Sequence, residues 1–294
     1  MARSRSPGWW PLAAMGLSAV AVTVGVVGFG GSPYKFVETF DVDEVPRSGK
    51  TCAVDTATLN AAPSDNEFLA TWDAIPDEFP GLYDEGSGWG LCLPMVVRGC
   101  GTGEGPMQSL LALADGEAPC NSAVLHMVVT EVIRIANTLL DLPTVISFGT
   151  LLGAKRDQAI IPYTQDADVC MVANDYKQLA EALWRRGYAL FTRLNMASVC
   201  VGQHHPLAKK LFSPQGRLDG PYFGPPYVDI YTWSYNETCD PSNDVVFDGH
   251  VNMKHDDVFP LANLKVYNSS FPAPRNAVAF LEEVYGASWP VPDH

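Results

Sequence analysis

Apolar residues recur at helical spacing from Asn121 onward, at Val124, Leu125, Val128, Val132, Ile135, Ala136 and Leu139, which predicts an amphipathic helix over 121–139 with Asn121 and Ser122 as its caps. Asp141-Leu142-Pro143 ends it. Short apolar runs over Thr144–Phe148 and Ala167–Val172 read as buried strands, with a turn into a short helix over Thr150–Arg156 between them. Leu179, Ala182 and Leu183 set one face of a helix over Asp175–Arg186, closed by Gly187. Tyr188–Val201 and Tyr227–Tyr231 read as further strand, and Arg275–Tyr285 as a last helix before Gly286. Helices and strands interleave, so residues 121–294 form an α/β (α+β) body.

The pattern before residue 121 is different. From Trp9 to Gly31 no charged residue occurs, and Arg3 and Arg5 precede the run. About 20 apolar residues cross a bilayer, whereas a cleaved signal has a shorter apolar core. Residues 1–31 are therefore expected to be a cytoplasmic tip and transmembrane signal anchor, with the C-terminal body in the lumen. The alternative is secretion after signal cleavage. Residues 32–120 lack sustained periodicity and carry the breaker clusters APSDNE, EGSGWG and GTGEGP. They read as an irregular acidic stem, partly folded and pinned by disulfides, whose Trp72, Phe79, Tyr83 and Trp89 pack locally rather than seat it on the body.

Charge sharpens this division. The net charge is −14, and 15 acidic residues against four Lys or Arg lie between Ser32 and Cys120. Nucleic-acid binders carry basic footprints, so nucleic acid is excluded as the main partner. Seven cysteines form no C-x-x-C pair, which removes the zinc-ribbon and thioredoxin classes. An odd count leaves at least one thiol free in an oxidising lumen, and Cys170, inside an apolar strand, is the candidate. The sequence does not give the pairing. Asn236-Glu237-Thr238 and Asn268-Ser269-Ser270 are glycosylation sequons. The chain ends Pro-Asp-His, without a KDEL-type signal.

Candidate chemistry centres on Asp166-Ala167-Asp168. Two carboxylates at i and i+2 of a strand point the same way. Such a pair suits a divalent metal carrying phosphate. Ahead of it, a strand ending Gly149-Thr150 beside a helix start is a place where backbone N–H groups bind phosphate. Lys155 and Arg156 lie where they could neutralise a diphosphate. Asp229, between Val228 and Ile230, is costly to bury unless it shares a metal or a site. His204, His205, His250 and His255 fit no standard zinc spacing.

GTLLGAKR followed by AIIPYTQDADV, with VDIY, HDDVFPL, FPAPRN and LEEVYGASW downstream, resembles the LicD family and its fukutin-type relatives across about residues 121–291. The resemblance implies a nucleotidyltransferase-like fold, a mixed sheet with flanking helices. It also implies transfer of a phosphorylated alcohol (phosphocholine, or an alditol phosphate such as ribitol phosphate) from a CDP-activated donor onto a glycan or glycoprotein acceptor. By position, Gly149 and Thr150 would face the donor phosphates. Asp166 and Asp168 would hold Mg²⁺ or Mn²⁺, with Asp229 as third carboxylate. Tyr163 stands where the family pattern has Trp, and Thr164-Gln165 replace acids that precede its D-x-D. The expectation is a Golgi type II membrane enzyme. A D-x-D glycosyltransferase and a non-catalytic lumenal glycan-binding or scaffold protein are the alternatives.

Overall fold

The computed structural model describes residues 78–101, 103–172, 176–218, 220, 224–235 and 244–291. The expected membrane anchor, Trp72, Cys52, Cys239 and the Asn236 sequon lie outside the described residues.

The longest element is helix α1, Asn121–Arg134, continued by a π-helical turn over Ile135–Leu139. Every residue from Asn121 to Ile133 is buried. A helix covered on all sides belongs to a core. By length and hydropathy Asn121–Leu139 could cross a membrane, but its burial makes it the core helix of the fold. The caps expected at Asn121 and Ser122 are not caps. Cys120 occupies the N-cap position without a side-chain bond, and Asn121 lies inside the helix, donating through its amide to the Thr164 carbonyl. Three of the polar residues buried in α1, His126, Thr130 and Glu131, are paired. His126 Nδ1 accepts the Met107 N–H at 3.1 Å, so its Nε2–H faces the Ser269 hydroxyl at 2.8 Å. Glu131 meets Arg134 at 2.9 Å and Arg186 at 3.4 Å.

One mixed sheet runs in the order β1 (Tyr83–Asp84), β4 (Tyr188–Arg193), β5 (Met196–Val201), β6 (Tyr227–Tyr235), β3 (Asp166–Met171), β2 (Thr144–Ile146). β3 pairs with β6 in parallel and β1 with β4 in parallel; the other neighbours along this path are antiparallel. The single strand expected over 188–201 is a hairpin, turned at Leu194, whose φ is 43°. β7 (Asp244–Phe247) and β8 (Val251–Lys254) extend the far end of β6, and β9 (Ala262–Val266) and β10 (Ser269–Ala273) form a separate hairpin. Besides one-turn helices, three longer ones among the described residues complete the frame: α2 (Phe148–Asp157), α3 (Tyr176–Trp184) and α4 (Ala277–Tyr285). Asn276 caps α4 by accepting the Ala279 N–H.

Strand alternation gives the sheet two faces. Ala167, Val169, Met171, Ala197, Val199, Val228 and Ile230 share one face, all buried, in one core with the apolar side chains of α1. The opposite face presents Asp166, Asp168, Arg193, Ser198, Tyr227, Asp229 and Tyr231.

Residues 78–120 depart from the stem reading. Leu93, Met95, Met107 and Leu110 are buried in the main core, and Trp89 packs edge-on against Phe191 and Tyr227 at 4.8 and 5.2 Å. The aromatics expected to pack locally thus seat the segment on the body; Phe79 does so against Trp184. Cys92 bonds to Cys200 of β5, and Cys100 to Cys120. Periodicity could not reveal this. The buried side chains come singly from turns and 3₁₀ segments, each reaching a different place on the sheet. Cys170 is a free, buried thiol, as expected.

Candidate active site

The site begins with register. β3 and β6 run in parallel with Asp166 opposite Tyr227 and Asp168 opposite Asp229, so all three aspartates emerge on one face, on strands about 4.8 Å apart. Asp168 is 9% exposed and Asp229 4%; Asp166 is the most open of the three.

Helix α2 starts against this pair. The Gly149 N–H, in its first turn, donates to Asp168 Oδ2 at 2.9 Å, and the Asp168 N–H donates to Thr150 Oγ1 at 2.7 Å. The partial positive charge of a helix N-terminus thus faces the buried carboxylate. A Cβ at Gly149 would lie 3.0 Å from that same oxygen, so glycine permits the approach. Phe148, which opens α2, has φ of 40°, a conformation unusual for a bulky residue. Its ring packs against Tyr231 and Phe280. Thr150 is buried and its hydroxyl staples helix to strand, a different task from the phosphate contact expected of it.

Each remaining carboxylate has its own partner. Asp166 Oδ1 accepts from the Thr164 hydroxyl at 2.7 Å, so the Thr that replaces a family acid holds the first aspartate. Asp229 Oδ1 accepts from the Ser198 hydroxyl at 2.5 Å and from Arg193 Nη1 at 3.1 Å. Arg193 and Ser198 were not foreseen. A signal existed, since Arg193 closes an apolar strand in the same alternation as Phe191, and a charge so placed needs a partner.

The electrostatics follow from crowding like charges in a poorly hydrated place. Burial, then the charges of Asp166 and Asp229, push the Asp168 carboxyl well above the usual range, against the pull of the Gly149 and Thr150 hydrogen bonds. Burial also lifts Asp229 to about 6, although Ser198 and Arg193 favour its ionised form. The Tyr285 phenol at the end of α4 is pushed up to about 12 by burial and then by Asp168 and Asp166, and Tyr231 moves in the same direction. Both phenols therefore stand within the field of the carboxylates.

Other expected residues lie elsewhere. Lys155 and Arg156 are in the last turn of α2, roughly 9 Å along the axis from Gly149. Lys155 is exposed, and Arg156 is paired with Asp157 at 2.7 Å. The histidines do not gather: His204 packs on Trp184, His205 Nδ1 accepts the Leu207 N–H, and His250 pairs with Asp248. Asp257 accepts from the Asn276 amide at 2.8 Å, tying the start of α4. Asn268 is exposed in the turn between β9 and β10.

Among the described residues, no three His, Cys, Asp or Glu side chains stand together as a ready-made metal cage. The donor set nevertheless suits a hard divalent cation: three carboxylates share a face, and their mutual repulsion is what such an ion relieves.

Residues 141–276 match the family described as LicD/FKTN/FKRP, nucleotidyltransferase domain. They are a LicD-family domain. The matched span contains the start of α2, the D-x-D strand and Asp229, whereas all of α1, all of α4 and the segment around Trp89 lie outside it. No curated protein matches the chain. A LicD-type domain supports a transferase of the phosphotransferase type that modifies glycans.

Proposed function

We propose that this protein moves a phosphorylated alcohol, phosphocholine or an alditol phosphate such as ribitol phosphate, from a CDP-activated donor to a glycan hydroxyl. The observation that carries the reading is the cluster of Asp166, Asp168 and Asp229 on one face of two parallel strands, beside the N-terminus of α2. In this reading Asp166, Asp168 and Asp229 would hold Mg²⁺ or Mn²⁺, which would neutralise phosphate charge on the donor. The acceptor oxygen bonds to the phosphorus that carries the alcohol, the bond from that phosphorus to the bridging oxygen breaks, and CMP leaves. The hydroxyl proton passes to a carboxylate, and Asp166 is the one an acceptor can reach from solvent. The N-terminus of α2 holds Asp168 in place through Gly149, and Thr150 fixes the strand beneath it.

The same reading places the protein in the Golgi membrane, anchored by residues 9–31 with its catalytic body in the lumen. The disulfides Cys92–Cys200 and Cys100–Cys120 suit an oxidising compartment, and the exposed Asn268 sequon suits glycosylation there.

The test is transfer from CDP-choline or CDP-ribitol to a glycan, read as phosphate gained by the acceptor. Asp166→Asn and Asp168→Asn should each lower the rate by about 100-fold or more while the fold persists. Substantial turnover in both variants would refute the carboxylate assignment. Sugar transfer from a UDP- or GDP-sugar, with no phosphate on the acceptor, would make this a D-x-D glycosyltransferase instead.

A further inference from the structure

Arg193 lies between two acids. Its Nε donates to Glu85 Oε1 at 3.0 Å, and its Nη1 donates to Asp229 Oδ1 and Ser198 Oγ, each at 3.1 Å. The guanidinium stands 6.0 Å from the Trp89 ring centre and 5.7 Å from that of Tyr227, and the side chain is 15% exposed. Among the described residues no other Lys or Arg makes an ion pair with Asp166, Asp168 or Asp229. The arrangement depends on the segment before residue 120. Glu85 opens a one-turn helix, Glu85–Gly88, directly after β1, and the Cys92–Cys200 bond ties that segment to β5, the strand that carries Ser198.

A guanidinium on Asp229 and a divalent cation on the same carboxylate repel each other at this range. Glu85 offers the displaced guanidinium a second anchor close by, and a planar fork of N–H donors matches phosphate oxygens. We propose that Arg193 competes with the divalent cation for Asp229 and, once displaced, supplies its guanidinium to the donor's diphosphate. The inference rests on the reading given under Proposed function and adds a residue to it: Arg193 couples metal binding to nucleotide binding, with Glu85 as its tether.

The two ligands should respond to loss of Arg193 with opposite sign. With the full-length chain in detergent, Mn²⁺ binding is read by the spin resonance of the free ion, and CDP binding by calorimetry at saturating Mn²⁺. Arg193→Ala should bind Mn²⁺ about threefold more tightly, through loss of the competing cation, and bind CDP about tenfold more weakly. Glu85→Gln keeps the cation but leaves it to Asp229 alone, so Mn²⁺ binding should weaken about twofold. Weaker binding of both ligands by Arg193→Ala would make the residue a structural prop and overturn the proposal. Unchanged Mn²⁺ affinity in both variants would remove the competition, and unchanged CDP affinity would remove the phosphate contact. Failure of the wild-type chain to bind CDP with Mn²⁺ would instead overturn the underlying reading, before any variant is compared.

Discussion

Asp168 shows at the scale of one residue how this site trades stability for chemistry. Its carboxyl is buried, faces two other acids, and is raised well above its ordinary value. A group whose folded pKa exceeds its unfolded value binds more protons in the folded state between the two, so stability falls as pH rises through that window. With metal removed by chelator, Asp168→Asn should therefore be more stable than wild type at pH 7.5, by about 1 kcal/mol. The gain should shrink as pH falls and vanish below about pH 3, under the ordinary value for Asp, where the carboxyl is protonated in both states. His126 and His205, each lowered to about 3 chiefly by burial, drive stability the opposite way, but equally in both proteins. Denaturant midpoints across pH measure the difference, and a variant less stable than wild type at pH 7.5 would make Asp168 a net structural anchor. The pairing of Asp166 with Asp168 was legible because a strand has period two. Arg193 and Ser198 were not, because their meeting with Asp229 depends on how three strands register. The bond from the Asp168 N–H to Thr150 was not legible for a related reason. A hydroxyl beside a helix start can serve a phosphate or a neighbouring strand, and only the packing of α2 on β3 decides.

At the scale of elements, the long-period patterns were legible and the aperiodic ones were not. Helices α1 and α4 and strands β3 and β6 lie within a few residues of where alternation and spacing put them, since each is defined by a repeating apolar face. The segment from Leu82 to Leu93 has no such repeat, yet it places Glu85 and Trp89 against the carboxylate-bearing face of the sheet. Its close seating is visible at Gly88, where a Cβ would fall 2.1 Å from Phe191 Cγ. The Cys92–Cys200 bond spans 108 residues and holds this segment to β5. Replacing both cysteines by serine should cost about 2–4 kcal/mol. Limited proteolysis should then cut first between residues 82 and 93, while α1 stays protected from hydrogen exchange. Equal protection of the segment with and without the bond would show that the ring contacts of Trp89 hold it unaided.

At the scale of the molecule, the family match spans residues 141–276, while one core draws on residues 93–281. The matched span therefore does not stand alone: its carboxylate-bearing face is flanked by chain on both sides of the match, Glu85 and Trp89 before it and Tyr285 after it. The motifs identified the family because its chemistry is concentrated in short runs. The boundary at residue 120 rested on composition, which records where turns are frequent but not what they bury.

The central claim, that this face of the sheet binds a cytidine nucleotide through a divalent metal, is tested most directly by thermal unfolding of the full-length chain against CDP, CTP, UDP and GDP, with and without Mn²⁺. A ligand at a hundredfold excess over its Kd stabilises the folded state by roughly 2.7 kcal/mol. The account predicts a rise in Tm with CDP or CTP that requires Mn²⁺ and is lost in Asp168→Asn. A rise with UDP or GDP alone, or none with any nucleotide, would contradict it.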